Sequence, residues 1–180
     1  GGSSTLTLTG ANTFTGTTTI AAGILELNNA GGNALSNSSA VNLSGSNTTL
    51  LLTTGETIGS LAGVATSNVT LNANTLTTGG NNGTTSFGGV IAGSGGLTKT
   101  GSGTMTLTGA NTYGGTTLIS DGSLVLNNAG GTAINDASNV NLNASGANLT
   151  LSSATETIGS LTATLGSTIS LGANTLTTTT

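Results

Sequence analysis

The chain has 180 residues, of which 34% are apolar and 3% charged, and its formal net charge is −4 with one Lys or Arg. Binding to nucleic acids or to anionic membranes depends on clustered Lys and Arg, so neither is expected here. Disorder is not expected either, since disordered chains combine high charge with low hydrophobicity.

Apolar and polar residues alternate with a period of two along the whole chain, which is typical of β-strands. No segment sustains apolar residues at helical spacing, and clusters rich in glycine and asparagine mark sharp corners between the strands. The sequence therefore predicts an all-β protein. In chain order, the alternating segments are 6–9, 24–27, 41–43, 69–71, 105–107, 124–126, 140–142, 149–151 and 169–171.

The chain contains two copies of one sequence. Residues 3–14 return as 102–113, an offset of 99, and residues 56–61 return as 156–161, an offset of 100. A fixed long period is the signature of a repeat architecture. It predicts a first β-solenoid repeat at 1–78, a glycine-rich inter-repeat coil at 79–101 and a second β-solenoid repeat at 102–180.

A β-solenoid of about 8–9 coils, with roughly 20 residues in each, fits these short strands better than a two-sheet sandwich, the alternative. Aromatic residues make up only 2% of the chain, too few for a usual sandwich centre. Asparagines also recur at equivalent places in the two repeats, as stacked asparagine ladders would need. These pairs are Asn12 and Asn111, Asn28 and Asn127, and Asn74 and Asn174.

Alternating leucines are expected to form one continuous core, where each buried side chain contributes roughly 1.5–3 kcal/mol. The leucines assigned to it are Leu8, Leu27, Leu43, Leu71, Leu107, Leu126, Leu142 and Leu171.

Residues 86–117 resemble the passenger-associated repeat of bacterial autotransporters. In that repeat, a glycine-leucine-lysine half precedes alternating leucines and ends in Asn-Thr-Tyr, as in Leu97-Thr98-Lys99 and Asn111-Thr112-Tyr113 here. A second, degraded copy covers Ser3 to Thr19. The resemblance implies a right-handed parallel β-helix, secreted to the bacterial cell surface as the passenger of an outer-membrane barrel protein. It also implies a structural and secretion-promoting role, not an active site.

Two candidate chemistries, a ligand contact or acyl-transfer base at Lys99 and a pair of carboxylates, are weaker than their structural alternatives. Lys99 is interpreted as a strand-edge lysine that discourages aggregation. Glu56 and Glu156 are two carboxylates, as in the catalytic pair of a glycosidase. About five rungs, roughly 24 Å, would separate them, which is too far for both to act on one substrate bond. Each is interpreted as a solvated turn residue that caps a local backbone donor.

Metal and nucleophilic sites are not expected. Asp121 and Asp136 do not recur in the first repeat, where Ala22 and Asn37 stand, and calcium-binding β-rolls need tandem acids. Serine nucleophiles lack a histidine to act as base. We therefore predict no catalytic, cofactor-binding or metal residues, and no metal or cofactor requirement for folding.

The favoured function is a structural extracellular rod: a stalk, an adhesin shaft or a self-stacking filament. A binding module with a threonine-rich face for glycan or ice is the alternative, and a polysaccharide-degrading enzyme is the weakest hypothesis. Expected partners are neighbouring repeats or further copies, stacked end to end with their faces in register. A host or neighbouring cell-surface glycan or protein is a further candidate, whereas membrane insertion is not expected because no apolar run reaches about 20 residues.

The first residues, Gly1 to Ser4, do not resemble a signal peptide. The chain is therefore expected to be a processed product or a fragment.

Overall fold

The computed structural model describes residues 4–153 and 155–180, so Gly1 to Ser3, the start of the predicted first repeat, and Ala154 lie outside the described residues. The described residues form short strands and no helix. All strand pairs are parallel, and the strands stack as a β-solenoid of about nine turns. The predicted all-β class and solenoid architecture are confirmed.

Three columns of strands, numbered here in chain order, form the faces of the solenoid. The first face contains β1 (Thr5–Leu8), β3 (Ile24–Leu27), β5 (Thr49–Leu52), β8 (Asn68–Thr70) and β11 (Val90–Ala92), and higher up β18 (Glu156–Ile158) and β21 (Leu176–Thr178). The second contains β6 (Glu56–Ile58), β9 (Leu76–Thr78), β12 (Leu97–Lys99), β14 (Thr117–Ile119), β16 (Val140–Leu142) and β19 (Leu161–Ala163). The third contains β2 (Thr18–Ile20), β4 (Ala40–Leu43), β7 (Ser60–Gly63), β10 (Thr85–Phe87), β13 (Thr104–Leu107), β15 (Ser123–Leu126), β17 (Asn148–Leu151) and β20 (Thr168–Ser170).

The chain visits the first, second and third faces in turn. The number of residues in a coil varies, from 19 between the paired residues Thr5 and Ile24 to 25 between Ile24 and Thr49. The paired strands match residue for residue in these coils. The extra residues therefore lie in the corner loops.

Non-strand segments continue two of the faces. On the first face, above β11, the N–H of Tyr113 donates to the carbonyl oxygen of Ile91 (3.2 Å), and that of Asn111 donates to the carbonyl oxygen of Thr132 (3.0 Å). On the second face, below β6, the N–H of Asn12 donates to the carbonyl oxygen of Asn33 (3.3 Å). Residues 111–113 and 132–134 therefore bridge β11 to β18, and residues 12–14 and 33–35 lead to β6.

The core runs along the axis and is filled by the inward half of each alternating strand. In β3, Leu25 and Leu27 are buried while Ile24 and Glu26 face outward. Six of the eight predicted core leucines are buried, and Leu8 and Leu171 are partly buried against the same cluster. The prediction of one continuous core is confirmed.

The two sequence repeats lie on different faces of the solenoid. Strand β1 is on the first face, but its equivalent in the second repeat, β13, is on the third. Likewise β2 is on the third face and its equivalent β14 on the second, while β6 is on the second and its equivalent β18 continues the first. One repeat therefore spans about four and two-thirds coils of roughly 21 residues.

Candidate functional site

Lys99 is the one cation of the chain, and its ammonium group is enclosed by backbone carbonyl groups at a corner. Its Nζ donates to the carbonyl oxygens of Thr100 (2.7 Å), Gly101 (2.7 Å) and Asp121 (3.3 Å). An ammonium group has three protons to donate. Lys99 therefore joins its own corner to the corner of the next coil, which contains Asp121.

Glycines line the same corner on three successive coils. Gly79, Gly101 and Gly122 all have positive φ, at 118°, 66° and 63°. A Cβ on Gly101 would overlap the carbonyl oxygen of Gly79, and one on Gly122 would overlap that of Gly101. Only glycine allows both the left-handed conformation and this close stacking.

The interpretation of Lys99 as a strand-edge lysine is wrong. Strand β12 lies between β9 and β14, and the side chain is 1% exposed. Burial lowers the pKa of Lys99 because it disfavours the charged form, and the negative charge of Asp121 opposes that shift. The residue stabilises the corner where the coils meet and does not protect an edge.

Glu56 and Glu156 form the same contact in both repeats. The carboxylate of Glu56 accepts hydrogen bonds from the N–H groups of Ala34 (3.1 Å) and Leu35 (2.9 Å) in the preceding coil. The carboxylate of Glu156 accepts from the equivalent residues, Ala133 (3.2 Å) and Ile134 (2.6 Å). We call each arrangement a glutamate clamp.

The clamps correct the interpretation of these glutamates as solvated turn residues with local partners. Glu56 is 3% exposed and Glu156 is 1% exposed, and their partners lie about one coil earlier in the chain. The prediction that they cap backbone donors is confirmed. Both carboxylates are occupied by main-chain donors and lie on different faces, so their arrangement supports no paired catalysis.

Asparagines of the preceding coil bind the same loops on the side opposite the glutamate clamps. The Nδ2 of Asn12 donates to the carbonyl oxygen of Ala34, and the Nδ2 of Asn111 donates to that of Ala133, both at 2.7 Å. Equivalent asparagines do not stack on one another, because the two repeats lie on different faces. The predicted asparagine ladders are therefore wrong: the side chains of Asn12, Asn111, Asn74 and Asn174 bind the backbone of an adjacent coil.

The raised pKa values of the clamps predict greater stability in mild acid. Burial raises the pKa of Glu56 and Glu156, although the backbone donors oppose this effect. Stability from such a group is fully present below its unfolded pKa of about 4.3 and is lost as pH rises through the folded pKa. We therefore expect urea unfolding to show a higher free energy of unfolding near pH 4.5 than at pH 7. Each tenfold difference in proton affinity between the folded and unfolded states contributes about 1.4 kcal/mol.

The matched control for the pH series is the double variant Glu56→Gln/Glu156→Gln, which has no clamp carboxyl to titrate. Its free energy of unfolding should be lower than that of the wild type and should not rise on acidification. A wild-type chain whose stability falls steadily from pH 7 to pH 5 would contradict the prediction.

Asp121 and Asp136 are not brought together. The Oδ1 of Asp121 accepts a hydrogen bond from the N–H of Gly122 (2.8 Å), and Asp136 is exposed on the loop that Glu156 clamps. Among residues 4–153 and 155–180, no three His, Cys, Asp or Glu side chains are grouped closely enough to hold a metal ion.

Outward threonines do not continue from rung to rung on the first face. Thr5 pairs with Ile24, which pairs with Thr49, and Thr7 pairs with Glu26, which pairs with Leu51. A charged or branched apolar residue therefore interrupts each row of outward threonines along the solenoid axis. A flat ligand that needs the same hydroxyl on every rung finds no such array on the first face, whereas on the second face Thr57, Thr77 and Thr98 follow one another on three rungs before Leu118 ends the row.

Two grooves open along the corners. One, of about 450 Å³, lies beside Ser94, Thr116 and Leu118, and another, of about 360 Å³, lies beside Asn111 and Asp136. Asn111 already uses its amide in the loop contacts described above. Asp136 is the one ionisable residue lining these two grooves.

The sequence reasoning missed the buried polar contacts around Tyr113. Its hydroxyl lies 2.7 Å from the Oγ1 of Thr117, and its carbonyl oxygen accepts a hydrogen bond from the Oγ of Ser138 (2.8 Å). The equivalent Phe14 is 47% exposed. The recurrence of an aromatic residue after Asn-Thr in both repeats was the available signal.

Comparison with known families supports the resemblance drawn from the sequence. The model of the passenger-associated-transport-repeat matches residues 1–27 and 97–126, about a third of the chain. The second match contains Lys99, Gly101 and Gly122, and so includes two of the corner glycines together with the buried lysine. Neither a curated protein nor a solved structure matches the chain. None of the described residues forms a helix long and apolar enough to cross a membrane.

Proposed function

We propose that this chain is a structural segment of an extracellular rod and serves as a stalk, an adhesin shaft or a fibre. The solenoid fold and the two stretches that match the passenger-associated-transport-repeat fit a segment of an autotransporter passenger. That repeat family also implies secretion to the cell surface. No catalytic step is part of this proposal, because both clamp carboxylates bind the backbone.

The observation that carries the proposal is a comparison of strand β3 in the first repeat with its equivalent, β15, in the second. The inward positions of this strand are apolar in both repeats: Leu25 and Leu27 in β3 correspond to Leu124 and Leu126 in β15. Such positions are fixed by close packing of the core. The repeated sequence therefore preserves the interior of the rod.

Outward positions on the same strands have changed. Ile24 and Glu26 in β3 correspond to Ser123 and Val125 in β15, so an acidic residue in one repeat stands where an apolar one stands in the other. A face that binds one ligand in every repeat would need the same outward side chains. The difference on this strand supports a structural role over the alternative of a glycan- or ice-binding face there, although Thr7 and Thr57 recur as Thr106 and Thr157 on other strands.

Further coils of the same kind are the proposed partners, either from a neighbouring part of a longer polypeptide or from further copies. Parallel strand edges carry unpaired N–H and C=O groups that another rung can bind. Under electron microscopy, self-stacking would produce filaments of uniform width, whereas monomers at high concentration would contradict stacking between copies.

The structural role can be tested by inserting the chain between an epitope and an outer-membrane barrel anchor. Antibody binding to intact cells then measures display of the epitope. We expect display with the wild type and with Val125→Glu, which places the outward residue of the first repeat in the second. Leu124→Asp, which puts a carboxylate in the core, should abolish display.

Two outcomes would contradict the proposal. One is loss of display in Val125→Glu as severe as that in Leu124→Asp. The other is a saturable interaction of the purified chain with glycans, or thermal hysteresis in a cooled solution, that Val125→Glu removes.

A further inference from the structure

The two ends of the described solenoid are complementary steps of one spiral. The upper end rises through β19, β20 and β21, which lie on the second, third and first faces. The lower end begins with β1 on the first face. Because the chain visits the faces in a fixed order, a second copy that follows β21 without a gap begins with its β1 on the second face, above β19.

Stacking with like faces aligned would leave a gap between the copies. It would place β1 of the second copy above β21, on the first face. The next segment of that copy would then lie two rungs above β19, so the N–H and C=O groups along the edge of β19 would have no partner in the joint. Buried backbone groups without partners are costly. The register that turns the second copy by one face pairs all three edge strands.

The junction between the two repeats shows the same register within the chain. Leu107 of β13 pairs with Phe87 of β10, which pairs with Gly63 of β7. Strand β13 is the equivalent of β1, and β7 is the equivalent of β19. Strand β10 belongs to the inter-repeat coil, and omitting one complete coil leaves the order of the faces unchanged. Leu8 of a second copy is therefore expected above Ala163.

Apolar side chains at both ends would be covered by this joint. At the lower end, the inward residues Leu6 and Phe14 are 62% and 47% exposed, and at the upper end the inward Ile169 is 36% exposed. In the turned register, Leu6 lies above Leu161, and Phe14 lies above the strand that contains Ile169. Removing apolar surface from water is the main driving force of protein association.

Neither end carries the features that usually prevent strand edges from pairing. Open edges in natural sheets are commonly blocked by lysine, proline or inward charges. Residues 4–20 and 160–180 contain no Asp, Glu, Lys, Arg or Pro. All five acidic side chains lie between these segments, so no charged side chains oppose one another where the ends would meet.

We infer, on the basis of the proposed rod function, that the upper end of this chain binds the lower end of a second copy, with β1 of that copy on β19 and each copy turned by one of the three faces. Each copy would advance the rod by about eight and a third coils, roughly 40 Å at about 4.8 Å per rung. Three copies would return every face to its starting side after roughly 120 Å.

Disulfide cross-linking between copies tests the register. Thr7, Thr162 and Thr177 are outward residues of β1, β19 and β21. Thr7→Cys/Thr162→Cys places two thiols on adjacent rungs in the turned register, within the Cα separation of a disulfide. The matched pair Thr7→Cys/Thr177→Cys would cross-link only if like faces were aligned. Under mild oxidation we expect a ladder of covalent multimers from the first pair and none from the second. The reverse result, or no multimers from either pair, would overturn the inference.

An inward charge at the lower edge tests the contact without cysteines. Leu6 is at the open end of the core, so Leu6→Lys should keep its β circular dichroism. Sedimentation velocity should show association that increases with concentration for the wild type and for Val125→Lys, which adds the same charge at an outward position in the middle of the rod. Leu6→Lys should remain monomeric.

A wild-type chain that stays monomeric at high concentration, or Leu6→Lys that associates as the wild type does, would overturn the inference. Epitope display on intact cells tests the rod within one continuous chain. Its outcome does not depend on association between copies, so the two results can fail separately.

Discussion

Gly115→Ala is expected to lower the free energy of unfolding by about 3 kcal/mol, near the upper end for overpacked sites. A Cβ at this position would overlap the carbonyl group of Gly95 in the preceding coil. Backbone atoms cannot rotate away as a flexible side chain can, so the two coils must separate locally. Urea unfolding monitored by circular dichroism measures the loss, and the melting temperature should fall by roughly 6–12 °C.

The adjacent Gly114→Ala provides the matched control. A Cβ on Gly114 would meet no atom within 4 Å, and its φ is not among the positive values of the described glycines. Alanine there should leave stability unchanged or raise it by up to about 1 kcal/mol, because it restricts the unfolded chain. Equal losses in the two variants would show that coil contact is not the cause.

Lys99→Met is expected to destabilise the chain by about 3 kcal/mol, because the carbonyl oxygens of Thr100, Gly101 and Asp121 lose a charged donor. The apolar side chain avoids the burial cost of the ammonium group, which limits the loss. Hydrogen exchange should accelerate most at residues 97–122, where two corners meet.

The outward neighbour Thr98 supplies the control for Lys99. It lies on the same strand and is half-buried on the opposite side. Thr98→Met should change the free energy of unfolding by no more than about 0.5 kcal/mol. If Lys99→Met unfolds at the same urea concentration as Thr98→Met, the carbonyl contacts contribute no net stability.

Most of the architecture could be predicted from local pattern. Val140-Asn141-Leu142 alternates and forms β16, with its two apolar side chains buried. The rotation between repeats could not be predicted in this way, because it depends on how many residues complete a coil. That number varies between 19 and 25 within the first three rungs, and the variation lies in loops without periodic sequence.

The candidate sites were harder to predict because charged residues are usually assigned to the surface. Alternation did contain a contrary signal, since Glu56 shares the side of Ile58, and Lys99 shares that of Leu97. The pattern did not show which groups the buried Glu56 and Lys99 side chains would contact. They are main-chain groups that a neighbouring coil supplies, and residue types do not reveal them.

The burial of Lys99 also determines how readily proteases can cleave the chain. Trypsin-like enzymes cleave after lysine or arginine, and the 180-residue chain contains one such residue. Its side chain is inside the corner, and its strand is hydrogen-bonded on both sides, so the peptide bond cannot enter an active site without local opening. The rate of digestion would then follow the opening of the middle coils, and cleavage would separate the two repeats.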